Sequence, residues 1–185
     1  MKREHKMPQV GFIRSKNEIK YLILYIAERL IEPVSFEVMQ ELTMCDPGVD
    51  FFEFSECLNY LVRTGHMDCL KDDLYTITEK GVQNGRVVAD EIPYSVRLQA
   101  EKLVGIQNQR IKRARQVQSS VRKLGNGTYG VELRFNDDYG IPLWRTELAV
   151  PDEAKARALC KRYEDNPEQL YMEVVALLLR EDESK

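Results

Sequence analysis

Four side chains with metal-ligand or nucleophile chemistry fall in one stretch of the chain: Cys45, Cys57, His66 and Cys69. Zinc takes four such ligands, usually as closely spaced pairs. Here only His66-x-x-Cys69 is close, and no second pair completes a site. None of the four cysteines, Cys160 included, is read as a low-pKa thiol. They read as free thiols behaving as small hydrophobes, and the missing CxxC pairing points to a reduced, cytoplasmic chain. The paired acids Asp72-Asp73 and Asp137-Asp138 stand between apolar runs, where turn residues belong. No nucleophile elbow, P-loop or HExxH motif occurs. No catalytic residue, metal or cofactor is therefore expected, and the chain does not read as an enzyme.

The chemistry on offer is cationic. Net charge is only −3, but it is unevenly spread. Residues 1–20 hold six Lys and Arg against two acids, and residues 21–80 hold four against twelve. Residues 81–124 hold nine against three, and residues 125–185 hold eight against thirteen. Two basic segments thus bracket an acidic one. In the first, Lys2, Arg3, Lys6, Arg14, Lys16 and Lys20 could follow a phosphate backbone or minor groove. A solvated tail is the plainer reading. In the second, Arg110, Lys112, Arg113, Arg115, Arg122 and Lys123 could form a phosphate-contacting ridge. A helix end whose cations complement the helix dipole, or a surface for an acidic partner, explains them equally simply.

The elements that must position these charges follow from periodicity and capping. Residues 1–14 read as a basic flexible arm. Ser15-Lys16-Asn17-Glu18 is a capping box, and a first helix runs to about Glu32 before Pro33. Ser35 caps a short second helix to about Thr43. Asp50 and Glu53 form a second capping box. Phe51, Phe54, Leu58, Leu61 and Val62 then keep one helical face, and Gly65 stops the helix. Met67–Leu70 and Leu74–Ile77 make a hairpin around Lys71-Asp72-Asp73. Helix, helix, turn, helix and hairpin is the order of a winged helix-turn-helix. That domain is expected over residues 15–92, its last helix running from Glu79 to Asp90 with Val82, Val87, Val88 and Ala89 apolar.

A long polar connecting helix is expected over residues 93–116. Its thin stripe of Val96, Ala100, Leu103, Val104 and Ile111 suits a dimer seam. From Val117 the period switches to two. Asn126-Gly127 is a type I′ hairpin signal, and Ile141–Val150 gives a third strand. Two helices close the chain. The second starts at Asn166-Pro167 and carries an expected buried stripe of Leu170, Tyr171, Val174, Val175 and Leu178. Residues 117–180 thus form a C-terminal α+β domain of three antiparallel strands and two helices. The longest apolar run, Val174–Leu179, is far short of the roughly 20 residues a membrane helix needs. The N-terminus lacks the apolar core of a signal peptide.

The combination of KYLILYIAERL, DFFEFSECLNYLVRTGHM, LYTITEKG, EIPYSVR, QNQRIKRARQVQ, GNGTYGVELR and VPDEAKARALCKRYEDNPEQLY resembles an uncharacterised bacterial family, a domain of unknown function. Its members are winged-helix proteins with a C-terminal α/β extension. The resemblance spans residues 17–178 and implies a cytoplasmic DNA-binding transcription regulator. It supplies no catalytic residues to carry over. In that role the third helix would meet the groove with Phe52, Glu53, Glu56, Asn59, Tyr60 and Arg63. Asn59, Tyr60, Arg63 and the hairpin-tip Lys71 are the candidate DNA contacts there. Glu53, Glu56, Asp68, Asp72 and Asp73 oppose phosphate. The expected partners are therefore DNA and a second copy of the chain, with no membrane and an effector the residues do not name. The competing expectation is a winged helix that binds no DNA and docks its acidic third helix on a basic protein.

Overall fold

The computed structural model describes residues 11–179. Among them are seven α-helices and two three-stranded antiparallel sheets, a mixed α+β architecture. The chain divides into two compact units, Met1–Gln109 and Arg110–Lys185.

The first unit is built around α1 (Lys16–Arg29). The Ser15 hydroxyl accepts from the Glu18 N–H while the Glu18 carboxylate accepts from the Ser15 N–H, so the expected capping box is complete. Ile19 and the run Leu22–Ala27 are buried. Each fully enclosed Leu or Ile contributes about 2 kcal/mol. The helix stops at Arg29, short of the expected Glu32. The side chain of Asn108 explains this: it donates to the Arg29 carbonyl (2.8 Å) and accepts from the Ile31 N–H (3.1 Å). It thereby satisfies an end that another turn would otherwise have to satisfy.

Strand β1 (Val34–Ser35) pairs with a later strand and is too short to betray itself by alternation. Helix α2 (Phe36–Thr43) is capped by Ser35. The link that follows is locked by Asp46, which is 4% exposed. Its carboxylate accepts from the backbone N–H groups of Phe12 (3.0 Å), Ile13 (3.1 Å) and Gly48 (2.9 Å). Ile13 is fully buried. Residues 1–10 of the expected arm lie outside the described residues, whereas its last residues, 11–14, are part of the folded unit. One buried aspartate ties them there.

Helix α3 (Phe51–Arg63) starts on Asp50, whose carboxylate accepts from the N–H groups of Phe52 and Glu53. Phe54, Cys57, Leu58 and Leu61 face inward. Phe51, expected inward, is 40% exposed and meets the Phe36 ring edge-on. Gly65 (φ 72°) ends the helix. Strands β2 (Met67–Cys69) and β3 (Leu74–Ile77) follow, with Asp72 and Asp73 both left-handed at the tip. The sheet order is β1-β3-β2.

Helix α4 (Glu79–Val88) stops short of the expected Asp90. Val87 is 83% exposed, and the buried residues are Gly81 and Gly85, whose lack of a side chain the sequence offers for close packing. A Cβ on Gly81 would run into the His66 carbonyl, so close approach rather than an apolar stripe seats this helix. Helix α5 (Tyr94–Gln116) buries Val96, Ala100 and Val104. The Tyr25 hydroxyl of α1 donates to Glu101 (2.5 Å), as Asn108 binds the end of α1. The stripe expected to form a dimer seam is therefore used within its own unit.

The second unit holds β4 (Val117–Lys123), β5 (Tyr129–Asn136), β6 (Pro142–Val150), α6 (Glu153–Asp165) and α7 (Pro167–Leu178). The strands pair in the order β4-β5-β6. The first hairpin is not the expected type I′ turn. Only Gly127 takes a positive φ (80°), Leu124 donates to the Thr128 carbonyl (2.8 Å), and the loop has three residues. Val131 and Leu133 pack against Ala156, Cys160 and Tyr163. The Tyr163 hydroxyl donates to the Arg134 carbonyl (2.5 Å), and burial pushes its pKa up to about 12. Helix α7 covers its expected stripe in part: Leu170, Tyr171, Val174 and Val175 are half-buried, with Tyr171 on Phe135, while Leu178 is 78% exposed. No helix among the described residues is long and apolar enough to cross a membrane.

Replacing Asp46 with Ala orphans three amide donors, two of them buried, and is expected to cost about 3 kcal/mol in urea unfolding followed by circular dichroism. Asp68→Ala, on an exposed strand position, should stay within about 0.5 kcal/mol.

Candidate nucleic-acid interface

The outward face of α3 is set by its buried one. With Phe54, Leu58 and Leu61 inward, Phe52, Glu56, Asn59, Tyr60 and Arg63 are exposed. Phe52 is 73% exposed. Glu56 and Arg63 cancel on this face, and the half-buried Glu53 leaves the helix acidic. The fold supplies what the helix lacks. Lys16 and Lys20 occupy successive turns of α1, on the border of its buried side. Lys16 forms an ion pair with Glu56. Lys20 lies over the Tyr60 ring, 4.5 Å from its centre, and the Arg63 guanidinium stands 5.7 Å from the same ring. Such contacts hold cations over the negative face of an aromatic ring.

Together Lys16, Lys20, Glu56, Asn59, Tyr60 and Arg63 line a surface depression of about 390 Å³, with Cys57 beneath. Glu56 is its one acid, so three cations there face one carboxylate. The Glu56 pairing holds the Lys16 ammonium above its ordinary pKa, so it stays charged. The depression offers two ammonium groups, a guanidinium, a phenol and an amide, which are donors for anionic oxygens. Sequence reasoning named Lys16, Asn59, Tyr60 and Arg63 and placed both lysines in the first helix, but grouped them with the arm cations. Their i, i+4 spacing puts them on one side of that helix, and only its packing against α3 shows what that side faces.

The remaining candidates separate. Arg3 and Lys6 lie outside the described residues. Arg14 is exposed at the root of α1, its backbone N–H donating to Glu18. Lys71 is exposed at the β2–β3 tip, between residues that include Asp72 and Asp73. The other basic set belongs to the second unit. Arg113 is held by both carboxylate oxygens of Glu168, and Arg122 pairs with Glu147. The carbonyl of Arg115 accepts from Asn136 (2.8 Å). Arg110, Lys112 and Lys123 are exposed. The expected ridge is thus partly committed to carboxylates of its own unit.

The thiols do not gather. Cys57 is buried under the depression and donates to the Lys16 carbonyl, Cys160 is in the second core, Cys69 is exposed, and burial pushes Cys45 up to about 11. His66 closes the far end of α3. Its ring contacts the Thr64 hydroxyl (2.8 Å) and the Asn84 amide nitrogen (2.8 Å). An Asn84 amide that donates to Nε2 matches an Nδ1–H donating to the Thr64 hydroxyl. Burial, and then Lys80, hold the His66 pKa below the ordinary value.

Fold and site together define a two-unit α+β protein whose third helix carries a composite cationic depression. The chain belongs to the family Domain of unknown function (DUF4364), which matches residues 19–178. No curated protein matches it, and no solved structure does.

A depressed histidine pKa makes the unfolded chain the stronger proton binder, so acid disfavours the fold. The thermal midpoint is expected to fall as pH drops below about 6.5, toward the lowered folded-state value. His66→Gln should flatten that part of the curve; an unchanged profile would remove His66 from it.

Proposed function

We propose that the chain is a DNA-binding transcription regulator of the winged-helix class, with its second unit used for dimerisation or effector sensing. The order of three helices and a hairpin supports this reading. So does the short third strand, which pairs in the order β1-β3-β2. In it α3 is the recognition helix, β2–β3 the wing, and the protein is cytoplasmic. The observation that carries the proposal is the cluster of Lys16, Lys20 and Arg63 around Tyr60 and Asn59. It gives an otherwise acidic helix the cations that phosphate binding requires.

In this reading the two basic regions have unequal roles. Lys16, Lys20 and Arg63 grip phosphates beside the groove, with Asn59 and Tyr60 reaching base edges or sugar. Lys71 at the wing and the arm cations Arg3, Lys6 and Arg14 extend that contact. Arg110, Lys112 and Lys123 contribute weaker, long-range attraction. Glu56 occupies Lys16 in the free protein and must yield it to a phosphate.

A second reading has its own support. Phe52 is the most exposed aromatic of α3 and adjoins Glu53, a pairing suited to a protein partner with basic and apolar surface. In that case α3 docks on protein and no DNA is bound.

Fluorescence anisotropy with mixed genomic duplexes across a salt series separates the two. DNA contact predicts a log–log slope of several negative units, reduced by about one for Lys20→Ala and for Arg63→Ala. Glu56→Gln frees Lys16 and should tighten binding several-fold. Absence of binding at low salt, or weaker binding by Glu56→Gln, would overturn the DNA reading.

A further inference from the structure

Strand β6 is an edge strand of nine residues, Pro142–Val150, bonded to β5 on one side. Native sheets blunt such edges with prolines, bulges or charges of one sign. Here Pro142 and the irregularity at Phe135/Asn136 lie at the same end, which leaves the rest of the strand unguarded. Its two charges, Arg145 and Glu147, are opposite in sign and flank Thr146. They point to the outer face of the sheet, while Trp144, Thr146 and Leu148 line a cleft of about 630 Å³ beneath α6 and α7. Leu148 is 43% exposed within it.

We propose that β6 pairs antiparallel with β6 of a second copy, about a two-fold axis through Thr146, joining two sheets into one of six strands. This rests on the part of the reading above that gives the second unit a dimerisation role, and it does not depend on DNA. Of the registers centred on Arg145, Thr146 or Glu147, one is self-complementary in charge. A two-fold axis that keeps both inner faces on one side must pass through a residue paired with itself. Centred on Arg145 or on Glu147, the pairing sets like charges face to face, which is destabilising. Centred on Thr146, it pairs the regular stretch Trp144–Leu148 with its own reverse. Arg145 then meets Glu147 of the other copy, twice, and Trp144 meets Leu148 on the inner face, twice.

The charges within the unit leave room for this. Arg145 shares the Glu132 carboxylate with Arg134, so two guanidinium groups compete for one acid. Glu147 of the second copy, which within its own unit pairs with Arg122, brings Arg145 a second carboxylate. The Trp144–Leu148 contacts close the open side of the cleft, where the sheet's apolar face is only half covered. Isologous pairing therefore satisfies edge backbone groups, unbalanced charge and exposed apolar surface together.

The test uses the full chain, by sedimentation equilibrium from micromolar to millimolar concentration and by directed cross-linking. In the paired register the two Thr146 Cα atoms stand about 4.5–5.5 Å apart, within disulfide range. In a Cys45→Ser, Cys69→Ser background, Thr146→Cys should form a covalent dimer on mild oxidation. Gln118→Cys, on β4 at the far edge, should not. Arg145→Glu sets like charges opposite each other at two places and should raise the dimer Kd roughly tenfold. A chain that stays monomeric at all concentrations overturns the proposal. So does a dimer whose Thr146→Cys variant fails to cross-link. Because no DNA is present, either failure leaves the DNA-binding reading untouched.

Discussion

The carboxylate of Asp46 is the contact on which the candidate site depends. It is a buried charge satisfied by three backbone N–H groups, two from residues 12–13 and one from Gly48. A buried ion without such partners would cost several kcal/mol. With them, it fixes the chain entering α1 against the link entering α3. The starts of the two helices are thereby held side by side, α1 capped by Ser15 and α3 by Asp50. Only then does Lys16 reach Glu56 and Lys20 reach the face of Tyr60.

That arrangement changes what the charge distribution means. Counted along the chain, α3 sits in the most acidic segment, and a groove-facing helix with Glu53 and Glu56 looks unfit for phosphate. Counted in space, two lysines forty residues upstream belong to the same surface. Charge is a property of the assembled surface, and screening limits its reach to about 10 Å at ordinary salt. The relevant tally is therefore local. Conversely, the densest basic run in the sequence, Arg110–Lys123, is less available than its count suggests, because Glu168 and Glu147 take up Arg113 and Arg122.

What could be read from the sequence was mostly local. Ser15, Ser35, Asp50 and Thr78 cap helices because their side chains accept from N–H groups two or three residues on, a relation visible in the residue string. The alternation of Val131, Leu133 and Phe135 announced a strand with one buried face. What escaped depends on partners remote in sequence. The two residues of β1 are a strand only because β3 is beside them. Arg29 ends α1 because Asn108 arrives from α5. Val87 is bare while Gly85 is buried because α4 turns Gly85 toward Leu24 of α1, where an added Cβ would be crowded at 3.2 Å. Half of the candidate site was legible in the same sense: Asn59, Tyr60 and Arg63 follow from the phase of one helix. Their cationic neighbours follow only from the packing of two.

Backbone amide shifts on adding a short duplex, recorded by NMR on the isotopically labelled chain, test the use of this surface most directly. DNA contact through the composite depression predicts the largest shifts at Asn59–Arg63 and at Lys16–Lys20, with smaller ones near Lys71. Shifts confined to Arg110–Lys123, or none on α3, would contradict it.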